Sequence, residues 1–317
     1  MRPASSPSRP ARLPERSKAP PPPLGAKRAP LGRDAAATLR WLGAVAFAAA
    51  GLVHIGLLAY IFATRLTAPF DLEWMEGGML THALRIMHGE GVYVQPSSEF
   101  ISYLYTPGYP ALVAAFGKLF GVSYTLGRLI SVAAFAGVCA LAYRVVAYHV
   151  ERSLSGPRWE ARFWAIGVVG LLCASFQHTG AWYDLVRNDS LYLLLVIAGV
   201  VLLFYRHKSW PHLIAASMLL GLGFLTKQTT ALFIVFSGFA VMALCWRRLP
   251  VHVLIVGAVA GGSTLLLEAL SRGWFWEYIY KLHQGHDVYW DRMLETTPKI
   301  LAKATPVVAV IFCVGLL

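Results

Sequence analysis

Long apolar runs separated by short polar segments dominate the chain and predict its architecture. The first run, residues 41–66, is longer than the ~20 residues needed to cross the hydrocarbon core of a bilayer. Further runs cover residues 126–149, 163–179, 190–205, 213–225, 228–246 and 251–271, and a last one starts near Ile300. The pattern therefore predicts an all-α polytopic membrane protein with about eight spans over residues 41–317. The sequence stops at Leu317 inside an apolar run, so we expect an incomplete last helix or further residues.

Residues 67–124 form the longest polar interruption and are predicted to make a large first loop with two helices of its own. Apolar residues recur at helical spacing over residues 75–88, and this pattern ends at Gly89. Residues 109–120 are apolar but too few to span a bilayer. We expect both helices to lie along the membrane surface.

The distribution of Lys and Arg predicts the orientation of the spans. Basic residues collect in every second loop, at Arg152, Arg158, Arg162, Arg206, Lys208, Arg247 and Arg248. Because such loops stay in the cytoplasm, the loop of residues 67–124 and the segments around Asp189 and Lys227 should be external. Residues 1–40 carry nine Lys/Arg among many Pro, Ala and Ser, which predicts a disordered basic cytoplasmic tail.

Composition agrees with a membrane protein and argues against nucleic acid as a partner. Hydrophobic residues make up 57% of the chain and charged residues 14%, and the mean hydropathy is +0.56, far from the balance of a soluble domain. Much of the +12 net charge lies in the tail. The four cysteines lie inside apolar runs, so neither a disulfide framework nor a zinc site is implied. Richness in alanine and arginine suggests a bacterium, and hence the plasma (inner) membrane.

Three carboxylates directly after the first span are the first candidates for chemistry. Asp71, Glu73 and Glu76 fall within six residues at the mouth of that span. Carboxylates beside lipid are costly unless a partner or a reaction uses them, and one of them can serve as a general base. The alternative is a simple helix cap, since the helix dipole favours acids in a first turn. The following Gly77 and Gly78 favour close approach of a ligand or of another backbone.

A second group of polar residues lies at the external ends of later spans. Asp184, Arg187 and Asp189 place a cation between two acids, which predicts a second acidic site or, alternatively, a local ion-pair cluster. Lys227 is the only Lys or Arg between Trp210 and Trp246. A lone lysine at membrane depth needs an anionic partner, so we expect contact with the phosphate of a lipid-linked substrate. Snorkelling to the headgroups is the alternative.

Three residues of the loop and the next span complete the candidate set. Arg128 opens a span on the external side, against the charge rule, so it should have an anionic partner. Tyr105 and Tyr109 flank a Pro/Gly turn that could bind a sugar or a lipid headgroup. Tyrosines at membrane interfaces also occur without any such function.

No cofactor is implied with certainty. His283, His286 and Asp287 have a spacing that could ligate a metal, but they lie in a loop predicted to be aqueous. The sequence therefore leaves open whether a divalent metal ion binds as well.

Several short motifs occur in a characteristic order. They are the first-loop acids, Gly89-Glu-Gly91-Val-Tyr93, Tyr105-Thr-Pro-Gly-Tyr109-Pro, Gly127-Arg128, Arg187-Asn-Asp189-Ser-Leu191 and Gly223-Phe-Leu-Thr-Lys227. Together they resemble the membrane-embedded GT-C glycosyltransferases, in particular the protein O-mannosyltransferases and the bacterial aminoarabinose transferases. The resemblance covers residues 41–271, and its specificity comes from the order of the motifs.

The resemblance implies transfer of a sugar from a polyprenyl-phosphate-linked donor to a lipid, glycan or protein acceptor on the external face. It gives the general-base role to Asp71 or Glu76 and a second acidic position to Asp189. The contact with the donor phosphate would fall to Lys227 and secondarily to Arg128. The first-loop acids are not adjacent as Asp-Glu, which leaves the identity of the base open.

Two other functions are weighed against a transferase. A transporter or flippase for a lipid-linked anionic substrate would have polar residues near the bilayer midplane and paired halves. Here the polar residues collect at one face, and the sequence has no internal repeat. A non-catalytic partner of a cell-envelope assembly is the third alternative.

Overall fold

The computed structural model describes residues 31–153, 157–285, 287 and 289–304, and within these ranges the chain is helical without β-strands. The helices are α1 (Leu31–Arg65), α2 (Met75–Met87), α3 (Gly108–Phe120), α4 (Tyr124–Ser153), α5 (Arg158–Ala174), α6 (Asp189–Arg206), α7 (Trp210–Thr226), α8 (Thr230–Cys245), α9 (Leu249–Val256), α10 (Gly262–Ser271), α11 (Trp274–Trp276), α12 (Leu282–Gln284) and α13 (Thr297–Ala304). Short 3₁₀ turns occur at Gln177–Thr179 and Trp246–Arg248, and π-helical segments at Gly257–Gly261, Glu277–Lys281 and Arg292–Thr296. The chain divides into two units, Met1–Leu42 and Gly43–Leu317, and the candidate site lies in the second.

Four helical stretches in the described residues are long and apolar enough to cross a membrane. They are Ala35–Arg65, Tyr124–Ser153, Asp189–Arg206 and Thr230–Ser271. The shorter α7 is also apolar. Helix α5 begins with the charged residues Arg158, Glu160 and Arg162 and is not among these apolar helices. The prediction of an all-α, multi-pass membrane protein is thus confirmed. The last predicted span starts near Ile300, and its part beyond Ala304 lies outside the described residues.

The stretch Thr230–Ser271 turns back on itself, so it supplies two neighbouring helical segments. A 3₁₀ turn at Trp246–Arg248 separates α8 from α9. The ring nitrogens of His252 in α9 lie 2.8 Å from the hydroxyl of Ser217 in α7 and 3.1 Å from that of Ser237 in α8. Hydrogen bonds between apolar helices stabilise their packing where water is excluded. The two runs predicted at residues 228–246 and 251–271 therefore correspond to α8 and to α9 with α10.

The loop of residues 67–124 packs into a small apolar core around α2 and α3. The apolar face of α2, including Met79 and Ala83, is buried against Tyr109 and Val113 of α3. Helix α2 covers the predicted residues 75–88 almost entirely, and its apolar face contacts α3. At the other end of the chain, α1 begins at Leu31, ten residues before the predicted span, because the alanine-rich segment after it favours helix.

Candidate active site

Asp71 stands at the entrance to α2 as an exposed carboxylate. The phenol of Tyr124, the first residue of α4, makes a side-chain hydrogen bond with it. A Cβ atom on Gly77 would lie 3.1 Å from both Asp71 carboxylate oxygens, so the carboxylate lies against the first turn of α2. The helix dipole stabilises a negative charge there. Asp71 is therefore a positioned carboxylate that a substrate can reach.

Four side chains from three parts of the chain form a row of alternating charge, here called the charge row. Its members, in spatial order, are Glu73, Arg187, Asp189 and Lys227. The Arg187 guanidinium lies 2.9 Å from a Glu73 oxygen and donates from Nε to Asp189 Oδ2 at 2.9 Å. Lys227 Nζ donates to Asp189 Oδ1 at 2.6 Å. The row joins the first loop, the start of α6 and the end of α7 into one ionic network.

Burial sets the strength of this network. Arg187 has 5% of its side chain exposed, whereas Glu73, Asp189 and Lys227 have 15%, 17% and 21%. Burial lowers the pKa of Arg187, but the carboxylates of Asp189 and Glu73 outweigh it and raise that pKa. Partly buried ion pairs with hydrogen bonds are held more firmly than surface pairs. The row is a preorganised charged surface that stays accessible at its two ends.

Aromatic rings line the charge row. The Lys227 ammonium lies 5.8 Å from the ring centre of Tyr105 and 5.6 Å from that of Tyr192. The Arg187 guanidinium lies 4.1 Å from the ring centre of Trp182. At the acidic end, burial and the charges of Glu73 and Asp71 raise the pKa of Tyr103. Rings beside polar groups are typical of sites that bind ligands in part through apolar faces.

Glu76 and Arg128 form a buried ion pair whose hydrogen-bonding groups are satisfied by other groups of the protein. Arg128 donates from Nε and Nη2 to the two Glu76 oxygens at 2.9 and 2.7 Å, and both side chains are completely buried. Its remaining donors go to the carbonyls of Arg65, Ala68 and Phe70. Burial raises the pKa of Glu76, but hydrogen bonds from Arg128 and two backbone N–H groups outweigh it and lower that pKa. The pair ties the end of α1 and the start of α2 to α4.

Asp184 has a different environment from Asp189. It is 1% exposed, and its carboxylate lies 3.2 Å from Arg65 Nε without a hydrogen bond to either oxygen. Burial raises the pKa of Asp184 to about 6, against the opposing charge of Arg65. The predicted trio of Asp184, Arg187 and Asp189 is therefore divided, since Asp184 points to α1 and only the other two enter the charge row.

Tyr109 and the predicted metal-binding residue His283 lie outside the charge row. Tyr109 is fully buried, and its hydroxyl donates to the Gly127 carbonyl at 2.8 Å, which makes it a packing residue between α3 and α4. His283 lies 3.3 Å from Gln228, next to Lys227. His286, its predicted metal-binding neighbour, lies outside the described residues. Among the residues that are described, no three His, Cys, Asp or Glu side chains are grouped to hold a metal ion.

Three further residues near the site were not predicted from the sequence, namely Arg65, Tyr192 and Gln228. Arg65 ends the first span on the side predicted to be external, where basic residues are disfavoured, and Arg128 lies on the same predicted side. That position is a signal from which Arg65 could have been found. Tyr192 and Gln228 carry no comparable signal, because a tyrosine or a glutamine next to a span is common.

A cavity lies between the segment that follows α2 and helix α10. Its volume is about 790 Å³, and it is lined by the segment from Gly89 to Gln95, by Pro107 and Ala111, and by Leu267 and Leu270 of α10. The Tyr93 hydroxyl at its wall donates to the Tyr105 carbonyl at 2.7 Å. The cavity is thus mostly apolar and is separated from the lysine end of the row by one short segment.

The fold and this site define an all-α membrane protein with an ionic and aromatic site at one end of its helices. The family model described as glycosyltransferase family 87 matches residues 103–316. The match covers most of the chain, which therefore belongs to glycosyltransferase family 87 and is a membrane glycosyltransferase. No curated protein and no solved structure matches the chain. Arg187, Asp189 and Lys227 lie inside the matched residues, whereas Asp71 and Glu73 precede them.

Proposed function

We propose that the protein transfers a sugar from a polyprenyl-phosphate-linked donor to an acceptor hydroxyl on the external face, by a GT-C-type inverting mechanism. The observation that carries this proposal is the charge row, with the accessible Asp71 beside its acidic end and Lys227 at its basic end. Only Leu104 separates Tyr103, at the acidic end, from Tyr105, at the basic end. In this proposal the base stands beside one end of an ionic network and the phosphate-binding cation stands at its other end, and a substrate bound along the network would contact both.

The proposed reaction is a direct displacement at the anomeric carbon. The acceptor oxygen attacks that carbon, and the bond between it and the donor phosphate oxygen breaks. The acceptor proton passes to Asp71, and the electron pair leaves with the polyprenyl phosphate. Asp71 is assigned as the base because it is exposed. Glu73 is ion-paired with Arg187, and Glu76 is buried in an ion pair with Arg128.

Lys227 is proposed to stabilise the charge that develops on the departing phosphate. Its ammonium carries three N–H donors, and its side chain remains 21% exposed although Asp189 accepts one of them. Asp189 and Arg187 are positioning residues in this scheme, because they hold the ammonium between Tyr105 and Tyr192. A cation fixed before the reaction needs no reorganisation when charge develops.

The donor is proposed to be lipid-linked because a mostly apolar cavity is connected to the lysine end of the row through Tyr93 and Tyr105. A cavity of about 790 Å³ is within the range of ligand pockets and can hold the first isoprene units of the donor. The basic residues at the opposite helix ends support an external site and a cytoplasmic N-terminus. A bacterial plasma membrane is the proposed location.

The test is donor binding and donor hydrolysis or transfer by the purified protein in lipid. Lys227→Met should weaken donor affinity at least tenfold, because it removes the phosphate contact. Lys281→Met is the matched control, since Lys281 is an exposed lysine paired with Glu277 within one helical segment. Equal donor affinity in wild type and Lys227→Met would remove Lys227 from the donor site. No binding of any polyprenyl-phosphate sugar to wild type would overturn the proposed donor class.

A further inference from the structure

A basic cleft lies between α4 and α6 at the end of these helices opposite the candidate active site. Arg128 and Asp189, near the starts of α4 and α6, lie at the active-site end of these helices. The cleft is lined by residues nearer the other ends of the same two helices. Arg144 and Arg152 of α4 and Arg206 of α6 line it. Its volume is about 410 Å³.

The charges in this cleft are of one sign. All three arginines are exposed, and none of the described residues that line the cleft is acidic. Arg152 is held over the ring of Tyr148, with its guanidinium 4.3 Å from the ring centre. Three guanidinium groups that share one cleft repel each other unless an anion joins them. The cleft therefore fits an anionic ligand with several oxygen acceptors, such as a phosphate group.

The cleft changes from basic to apolar along the helices. Leu141 and Val201 line its deeper part. Leu141 precedes Arg152 by eleven residues, which is about 16 Å along a helix. Arg144 lies between these levels and can extend its guanidinium toward the helix ends. An inorganic phosphate ion would use only the basic part, whereas a lipid would use both.

We propose that this cleft binds an anionic phospholipid, with the phosphate on the three arginines and the start of an acyl chain along Leu141 and Val201. Both helices are long and apolar enough to span a membrane, so their ends lie at the depth of the headgroups. Basic pockets between spanning helices are suited to anionic headgroups for this reason. The site is separate from the glycosyl-transfer site and does not depend on it.

The test measures lipid retention by the full chain in detergent, by native mass spectrometry with added phosphatidylglycerol or phosphatidylcholine. The triple variant R144Q/R152Q/R206Q is compared with R158Q/K208Q/R247Q, which removes the same charge from the same end of the helices outside the cleft. Wild type and the control should retain phosphatidylglycerol at least tenfold better than phosphatidylcholine. The cleft variant should lose about a hundredfold in affinity, since each basic residue contributes roughly fivefold.

Three results would overturn the proposal. The first is equal retention of the two lipids by wild type. The second is an equal loss in the cleft and control variants, which would mean that diffuse charge alone attracts the lipid. The third is full competition by inorganic phosphate, which would assign the cleft to a free phosphate group. A thermal melting curve equal to that of wild type shows that the cleft variant is folded.

Discussion

Replacing Arg128 by Met should damage the stability of the fold before it affects any step of catalysis. The substitution leaves the Glu76 carboxylate completely buried, with only the backbone N–H groups of Leu72 and Val186 as donors. It also removes the donor to the carbonyls of Arg65, Ala68 and Phe70. Removal of one partner from a buried pair costs about 3–5 kcal/mol. For a chain of this size that corresponds to an apparent melting temperature lower by on the order of 10 °C.

The assay is thermal unfolding of the purified protein in detergent, followed by the fraction that stays monodisperse. Lys118→Met serves as the control, because Lys118 is exposed on α3. The double variant Glu76→Gln with Arg128→Met should recover part of the loss, since it leaves no buried charge without a partner. Wild-type stability of Arg128→Met together with weakened donor binding would contradict a structural role for the buried pair and make Arg128 a substrate ligand.

Two further predictions concern the first loop and Asp184. Gly78→Ala should destabilise the protein by about 1–3 kcal/mol, because the new Cβ would overlap the Tyr103 hydroxyl and ring. Gly56→Ala, with nothing within 4 Å, should show no loss in the same melting assay. Burial raises the pKa of Asp184 to about 6, so its contribution to stability is fully present below about pH 4 and is lost as the pH rises through about 6, by about 3 kcal/mol. Melting curves from pH 4 to 7.5 should show this decline in wild type and a flatter profile in Asp184→Asn, and identical profiles would contradict it.

The positions of the helices could be predicted because each depends on a local apolar run. Residues 190–205 correspond to α6 at Asp189–Arg206, and residues 213–225 correspond to α7 at Trp210–Thr226. The ends differ by a few residues, since helix ends depend on turns and caps more than on hydrophobicity. The first helix differs most, because its start at Leu31 lies in a polar segment that hydropathy alone excludes.

The partners of the charged residues could not be predicted from local pattern. Glu76 and Arg128 are 52 residues apart, and Asp189 and Lys227 are 38 apart. The sequence marks each as a charge beside a span that needs a partner, but five candidate carboxylates and three candidate cations allow many pairings. Only the packing of α2, α4, α6 and α7 decides that Glu76 is enclosed while Asp71 is exposed.

The most direct test of the proposed mechanism is sugar transfer from a polyprenyl-phosphate donor by the protein in lipid, comparing wild type with Asp71→Asn. Glu99→Gln, an exposed acid of the same loop, is the matched control. Asp71→Asn should bind the donor as wild type does but transfer sugar at least a hundredfold more slowly, since general-base catalysis contributes about 10²–10⁴-fold. Transfer at the wild-type rate by Asp71→Asn, with the donor bound, would contradict the assignment of Asp71 as the base.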